Sequence, residues 1–304
     1  MSAAEAPVSA SDAVAREARE RRWAAPAAAA AGLLSLAAFI AQIVLQTSAP
    51  LNSVGALLYE NDQATPLLAA AALEALGSLA LGAALLYLYR STRARRPQLS
   101  PPIKWLALVG AVGFAVTTVL VQAYAARQYG RFASQGAQTY SEARDALQAK
   151  GAFASSELIA ANLVGFLTHV LLGLALILLS LNAMRVGLLT RFLGYIGMFA
   201  GALTILPIGG QFAVIQAFWL LALAYLFTGR WPSGLPPAWR SGQAEPWPSM
   251  QEQREAAARG GADPPGRRGV SAPAPAPAVP SADRPSANAP ARPGAARRKR
   301  KKRR

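Results

Sequence analysis

Residues 66–124 read PLLAAAALEALGSLALGAALLYLYRSTRARRPQLSPPIKWLALVGAVGFAVTTVLVQAY. Two apolar stretches, Pro66–Tyr89 and Ile103–Tyr124, flank a short segment carrying Arg90, Arg93, Arg95, Arg96 and Lys104 and no acid. Each stretch has the ~20 residues that an α-helix needs to cross a hydrocarbon core of about 30 Å. No water serves the backbone in that core, so such a stretch bonds internally as helix. A basic turn between two spans marks the cytoplasmic side.

The same reading extends in both directions. Upstream lies an apolar block at about Ala24–Leu45, preceded by Arg16, Arg19, Arg21 and Arg22. It exceeds the ~7–15 residues of a signal-peptide core, so it reads as a retained first span. Downstream lie Glu157–Asn182, Phe192–Leu206 and Gln211–Phe227, the last two joined by Pro207-Ile208-Gly209-Gly210, a run of turn formers. The Arg185 and Arg191 pair sits between spans four and five, whereas residues 48–65 carry Glu60 and Asp62 without Lys or Arg. Six spans make the short loops alternate in charge. The exception is 126–156, with four basic and two acidic groups, in a loop long enough for the bias to weaken. Thr139-x-x-Glu142 in that loop is a capping-box pattern for a short surface helix, with a simple connector the equal alternative.

The fold class expected is therefore all-α: an integral membrane helical bundle of six transmembrane helices, with a disordered C-terminal tail. Residues 1–22 form a cytoplasmic segment, 23–230 the transmembrane domain, and 231–304 a Pro/Ala/Arg-rich cytoplasmic tail. Tyr87 and Tyr89 are expected in the interfacial aromatic belt. Abundant Ala, Arg, Gly and Pro point to a high-GC bacterium, and so to the bacterial cell membrane, with both termini cytoplasmic.

Charge is concentrated outside the spans. The tail holds 15 of the 31 Lys and Arg residues but 5 of the 15 acids, which places ten of the sixteen net positive charges there. The last eight residues, Arg297, Arg298, Lys299, Arg300, Lys301, Lys302, Arg303 and Arg304, are all basic. They are candidates for contact with anionic lipid, at about 1 kcal/mol per residue near a charged leaflet; a solvated topology determinant is the equal alternative. The final fifty positions contain no aromatic residue, so specific nucleic-acid recognition by stacking is not expected.

Within the spans, polar groups are few. Glu74 is the one acid deep in a span, about 13 Å from the outer end of its helix, and His169, the chain's one histidine, lies about 18 Å below Glu157. Polar groups at such depth face the bundle interior, and often mark a functional site. Asn162, Gly165, His169 and Gly173 share one face; Gly77 and Ser78 follow Glu74 on its face; Ser35, Gln42 and Gln46 line the first span. Gly110, Gly113 and Thr117, and then Gly194, Gly197 and Gly201, supply further seams of small residues that let helices approach closely. Glu74, His169 and Asn162 are the intramembrane candidates. Glu74 and His169 fit a proton relay or ion site, a structural pair that fixes register, or two groups with separate partners. Glu157 suits the positive end of its helix, and Gln211 and Gln216 suit interhelical hydrogen bonds.

Absences narrow the classes. With no cysteine, disulfides, Cys-ligated metal and iron–sulfur clusters are excluded. A single histidine gives neither a His-Glu-x-x-His zinc site nor bis-His haem, and there is no phosphate-binding Gly-x-x-x-x-Gly-Lys loop. No catalytic residues, metal or cofactors are expected, and the chain does not read as an enzyme. Thr190-Arg191-Phe192-Leu193-Gly194-Tyr195-Ile196-Gly197 resembles an uncharacterised bacterial multi-pass membrane family catalogued as a domain of unknown function. The resemblance covers about Trp23–Arg230. It implies a multi-pass architecture and transfers no functional residue. The function expected is a non-enzymatic membrane component acting through helix–helix or lipid contacts. The alternative is a small proton-coupled transporter or channel using Glu74 and His169. The lipid bilayer is the one partner read with certainty of chemistry, and protein partners are not legible.

Overall fold

The computed structural model describes residues 10–50, 53–134, 156–206, 212–232 and 234–247. Their secondary structure is entirely helical: α1 (Ala10–Thr47), α2 (Ser53–Asp62), α3 (Ala64–Arg95), α4 (Pro102–Ala133), α5 (Ser156–Arg185), α6 (Arg191–Ile205), α7 (Phe212–Phe227) and α8 (Pro237–Ser241). All lie in one compact unit spanning 1–250. The surface helix expected from Thr139 to about Gly151, the Glu157 side chain, Gln211 and the basic run 297–304 lie outside the described residues.

Four helices, α1, α3, α4 and α5, are long and apolar enough to cross a membrane. α6 and α7 fall where the fifth and sixth spans are expected, but have 15 and 16 residues. At 1.5 Å per residue they extend about 22 and 24 Å, less than a full hydrocarbon core. Long helices pack in sequence, α1 on α3, α3 on α4, α4 on α5, α5 on α6 and α6 on α7, and α7 returns to α1. The result is a closed ring of six helices. The Thr190 hydroxyl caps α6 by accepting from the Leu193 N–H at 3.3 Å.

The ring is apolar on the outside, and its buried core combines large side chains such as Leu85, Leu176 and Trp219 with small residues at the helix contacts. On α4, Trp105, Val109, Val112, Val116 and Leu120 form an exposed stripe, about half or more of each side chain uncovered. Ala107, Gly110, Ala111 and Ala115 on the same helix face inward and are buried. A stripe of that kind in water exposes apolar area at about 25 cal/mol per Å²; lipid removes the cost. The small seams sit at helix contacts. A Cβ on Gly173 of α5 would lie 2.6 Å from the Gly201 carbonyl of α6, and a Cβ on Gly77 of α3 2.8 Å from the Ser35 hydroxyl of α1. Only glycine allows those approaches.

The end of the bundle that carries Arg90–Arg96 is closed by polar and aromatic packing that the sequence does not announce. α1 begins twelve residues or more before its apolar block, since the Ala, Glu and Arg of 10–22 are strong helix formers. That extension brings Glu17, 2% exposed, against Arg95 of α3, 8% exposed. Arg95 grips the Glu17 carboxylate with two nitrogens, Nη2 at 2.9 Å from Oε2 and Nη1 on Oε1. The same guanidinium donates to the Ser91 carbonyl and, from Nε and Nη2, to the Ala238 carbonyl at 3.0 and 2.6 Å. Tyr87 and Tyr89 are buried rather than interfacial, a correction to the belt reading. Tyr87 stacks on Trp239 with ring centroids 5.8 Å apart, meets Phe227 edge-on at 4.8 Å, and donates to the Glu17 carbonyl at 3.3 Å.

The first part of the expected tail is packed onto this end. Trp239 of α8 donates to the Leu188 carbonyl and Trp247 to the Leu189 carbonyl, each at 2.8 Å, while the Glu245 N–H reaches the Val186 carbonyl at 3.1 Å. Gly242 ends α8 with φ +71°, a left-handed cap. Residues 234–247 thus form a strap over the α5–α6 turn. Low overall apolarity hid it, because two tryptophans with carbonyl partners suffice to hold so short a segment.

Candidate functional site

The opposite end of the ring is hollow. A cavity of about 500 Å³ lies among α1, α3, α4, α5 and α6. Its walls come from the C-terminal ends of α1 and α6, the middle of α4 and the N-terminal parts of α3 and α5, towards the end away from the arginine-rich turns. Polar lining is supplied by Gln42, Gln46, Glu74, Thr117, Thr118, Gln122, Asn162, His169 and Thr204. A second cavity of about 150 Å³ lies deeper, reaching Ser35, Ser78 and, on α7, Gln216. Gln42, Glu74, Phe114, His169 and Thr204 line both. The two spaces therefore meet at a girdle that contains the acid and the imidazole.

Each girdle residue is held by its neighbours. Gln42 Nε2 donates to Glu74 Oε2 at 3.0 Å, tying α1 to α3. His169 Nδ1 lies 2.9 Å from the Gly165 carbonyl one turn earlier. A carbonyl only accepts, so Nδ1 carries the hydrogen and Nε2 keeps its lone pair in the neutral ring. The Phe114 ring packs edge-to-face on the imidazole with centroids 4.3 Å apart. Thr204 donates to the Ala200 carbonyl at 2.9 Å. Around the outer vestibule, Thr117 donates to the Gly113 carbonyl at 2.8 Å and Asn162 Nδ2 to the Leu158 carbonyl at 2.9 Å.

The sequence candidates are thus brought to one place but not into one bond. Glu74 and His169, both half-buried, share both cavities, yet no ion pair within 4.0 Å joins them. Asn162 is exposed and lines only the outer cavity. Glu74 pairs instead with Gln42, a residue the sequence places on a polar seam without assigning a partner. Phe114, Thr118, Gln122 and Thr204 escaped the sequence reading. Thr204 lies three residues after Gly201 and seven after Gly197, on the small-residue face of α6, which is the one signal available for it. No protein-family model matches the chain, and neither a curated protein nor a solved structure does.

Proposed function

We propose that the protein is a six-span membrane protein of the bacterial cell membrane that moves a small solute, with Glu74 as its proton-carrying group. Both termini and the arginine-rich turns face the cytoplasm, and the cavity opens to the outside. The short α6 and α7 complete the ring as the fifth and sixth spans. The observation that carries the reading is one-sidedness. The bundle is hollow at one end, filled at the other by the Tyr87–Trp239–Phe227 cluster and the Glu17–Arg95 pair, and its one deep acid sits where the hollow narrows. Carriers expose a central polar site to one side at a time, and a carboxylate inside a membrane is well suited to take up and release a proton. A role limited to helix or lipid contacts leaves this cavity without a purpose.

The test is proton flux in proteoliposomes under an imposed membrane potential, with wild type and Glu74→Gln reconstituted in equal amount and orientation. Proton entry in wild type that is lost in Glu74→Gln supports the reading. Equal rates in both overturn it.

A further inference from the structure

The hydrogen bonds of the cavity are biased in one direction. Gln42, Thr117, Asn162, His169 and Thr204 each spend a donor on a partner that can only accept: the Glu74 carboxylate for Gln42, backbone carbonyls for the rest. In the inner chamber Ser78 does the same, donating to the Ala111 carbonyl at 2.9 Å. These assignments follow from the partners' chemistry, because a carbonyl or carboxylate oxygen has no hydrogen to give.

The lone pairs left at the girdle are those of the second Glu74 oxygen, the Gln42 carbonyl oxygen, the Thr204 hydroxyl oxygen and, in the neutral ring, His169 Nε2. The Gln42 amide keeps one further N–H, and Gln46, Thr118 and Gln122 add donors as well as acceptors around the girdle. No Lys or Arg lines either cavity, and the one acidic side chain in both is Glu74. A ligand that satisfies several acceptors and one negative charge brings several N–H donors and one positive charge. A lone alkali ion meets the charge, but a cavity of about 500 Å³ is far larger than an ion and falls in the ~300–1,000 Å³ range of sites for small organic ligands. Phe114 at the girdle and Leu67, Val121 and Phe166 in the vestibule offer apolar and aromatic walls for a hydrocarbon body.

We infer that the cavity binds a small organic ammonium ion, its N–H donors on the Glu74–Gln42–His169–Thr204 girdle and its carbon chain in the outer vestibule. The inference rests on the solute-moving reading above and names the substrate class. On that reading a proton and the ammonium group compete for the same Glu74 oxygen, so entry of one favours release of the other.

The experiment uses the full chain in lipid nanodiscs. Carbodiimide modification of Glu74, counted over all its products including the butylamide, is followed by mass spectrometry in the presence of n-butylammonium, n-butanesulfonate, n-butanol, tetramethylammonium or potassium ion. n-Butylammonium is expected to slow modification tenfold or more, and butanesulfonate and butanol to leave it unchanged. Tetramethylammonium, charged but without N–H donors, is expected to protect at least several-fold less well. A thermal-shift titration gives a second readout: n-butylammonium raises the midpoint of wild type, with tenfold weaker apparent affinity in Glu74→Gln and several-fold weaker affinity in the near-isosteric Thr204→Val. Protection by butanesulfonate or butanol equal to that by the amine would overturn the inference. So would equal protection by potassium ion, which assigns the site to an inorganic cation, or no protection by the amine. If the amine fails while Glu74-dependent proton flux persists, the substrate class falls and the solute-moving reading stands.

Discussion

Gln42 on α1 and Glu74 on α3 are joined by a 3.0 Å hydrogen bond where both line the two cavities of the ring's hollow end. The pair does two things. It fixes the register of two neighbouring helices, and it leaves one carboxylate oxygen free for whatever enters the cavity. A structural and a chemical role therefore coincide in one residue, and they are separable by substitution.

Gln42→Leu removes the amide that serves Glu74 and is expected to lower stability by about 1–3 kcal/mol, the cost of leaving a buried polar group unpaired. The double variant Gln42→Leu/Glu74→Leu should recover most of that loss, because removing both partners is close to neutral. Thermal midpoints in one detergent check this; a double variant that is less stable than Gln42→Leu counts against the pairing.

At the other end, Arg95→Met leaves the Glu17 carboxylate and the Ala238 carbonyl without their donor. Breaking one side of a buried pair costs about 3–5 kcal/mol. Arg95→Lys is expected to restore only part, since an ammonium lacks the planar fork that meets both carboxylate oxygens. Unfolding measurements should rank wild type above Arg95→Lys and Arg95→Met last. An unchanged Arg95→Met would show that the pair contributes nothing.

The strap predicts a protease result. Arg240 is exposed but sits in α8 beside the buried Trp239, whose indole bonds the Leu188 carbonyl and stacks on Tyr87. Wild type should resist trypsin at Arg240, and Trp239→Ala should be cut there at least ten times faster as the segment opens. Equal cleavage in the two would mean that Trp239 does not hold the strap.

The architecture was legible where one physical rule dominates. Long apolar runs place α1, α3, α4 and α5, and Glu74 and His169 stand out as rare polar groups in apolar sequence. What stayed hidden depends on side chains meeting across the fold. Arg95 reads as one more loop arginine until α1 extends far enough to bring Glu17 to it. Trp239 and Trp247 lie in sequence whose composition resembles a tail, and their carbonyl partners at 188 and 189 are some fifty residues away. The candidate site was half legible: the sequence supplies the acid and the imidazole, whereas the girdle needs Thr204 and Phe114, ordinary residues for a membrane helix that matter only through position.

The most direct test of the one-sided cavity uses the absence of cysteine from the chain, which makes every introduced thiol unique. Thr118→Cys, on the cavity wall, and Arg93→Cys, at the arginine-rich end, are exposed in intact cells to a membrane-impermeant maleimide. Thr118→Cys is expected to be labelled from outside, and Arg93→Cys only after the membrane is permeabilised. Labelling of Thr118→Cys only from the cytoplasmic side, or of both positions from outside, would contradict the one-sided cavity.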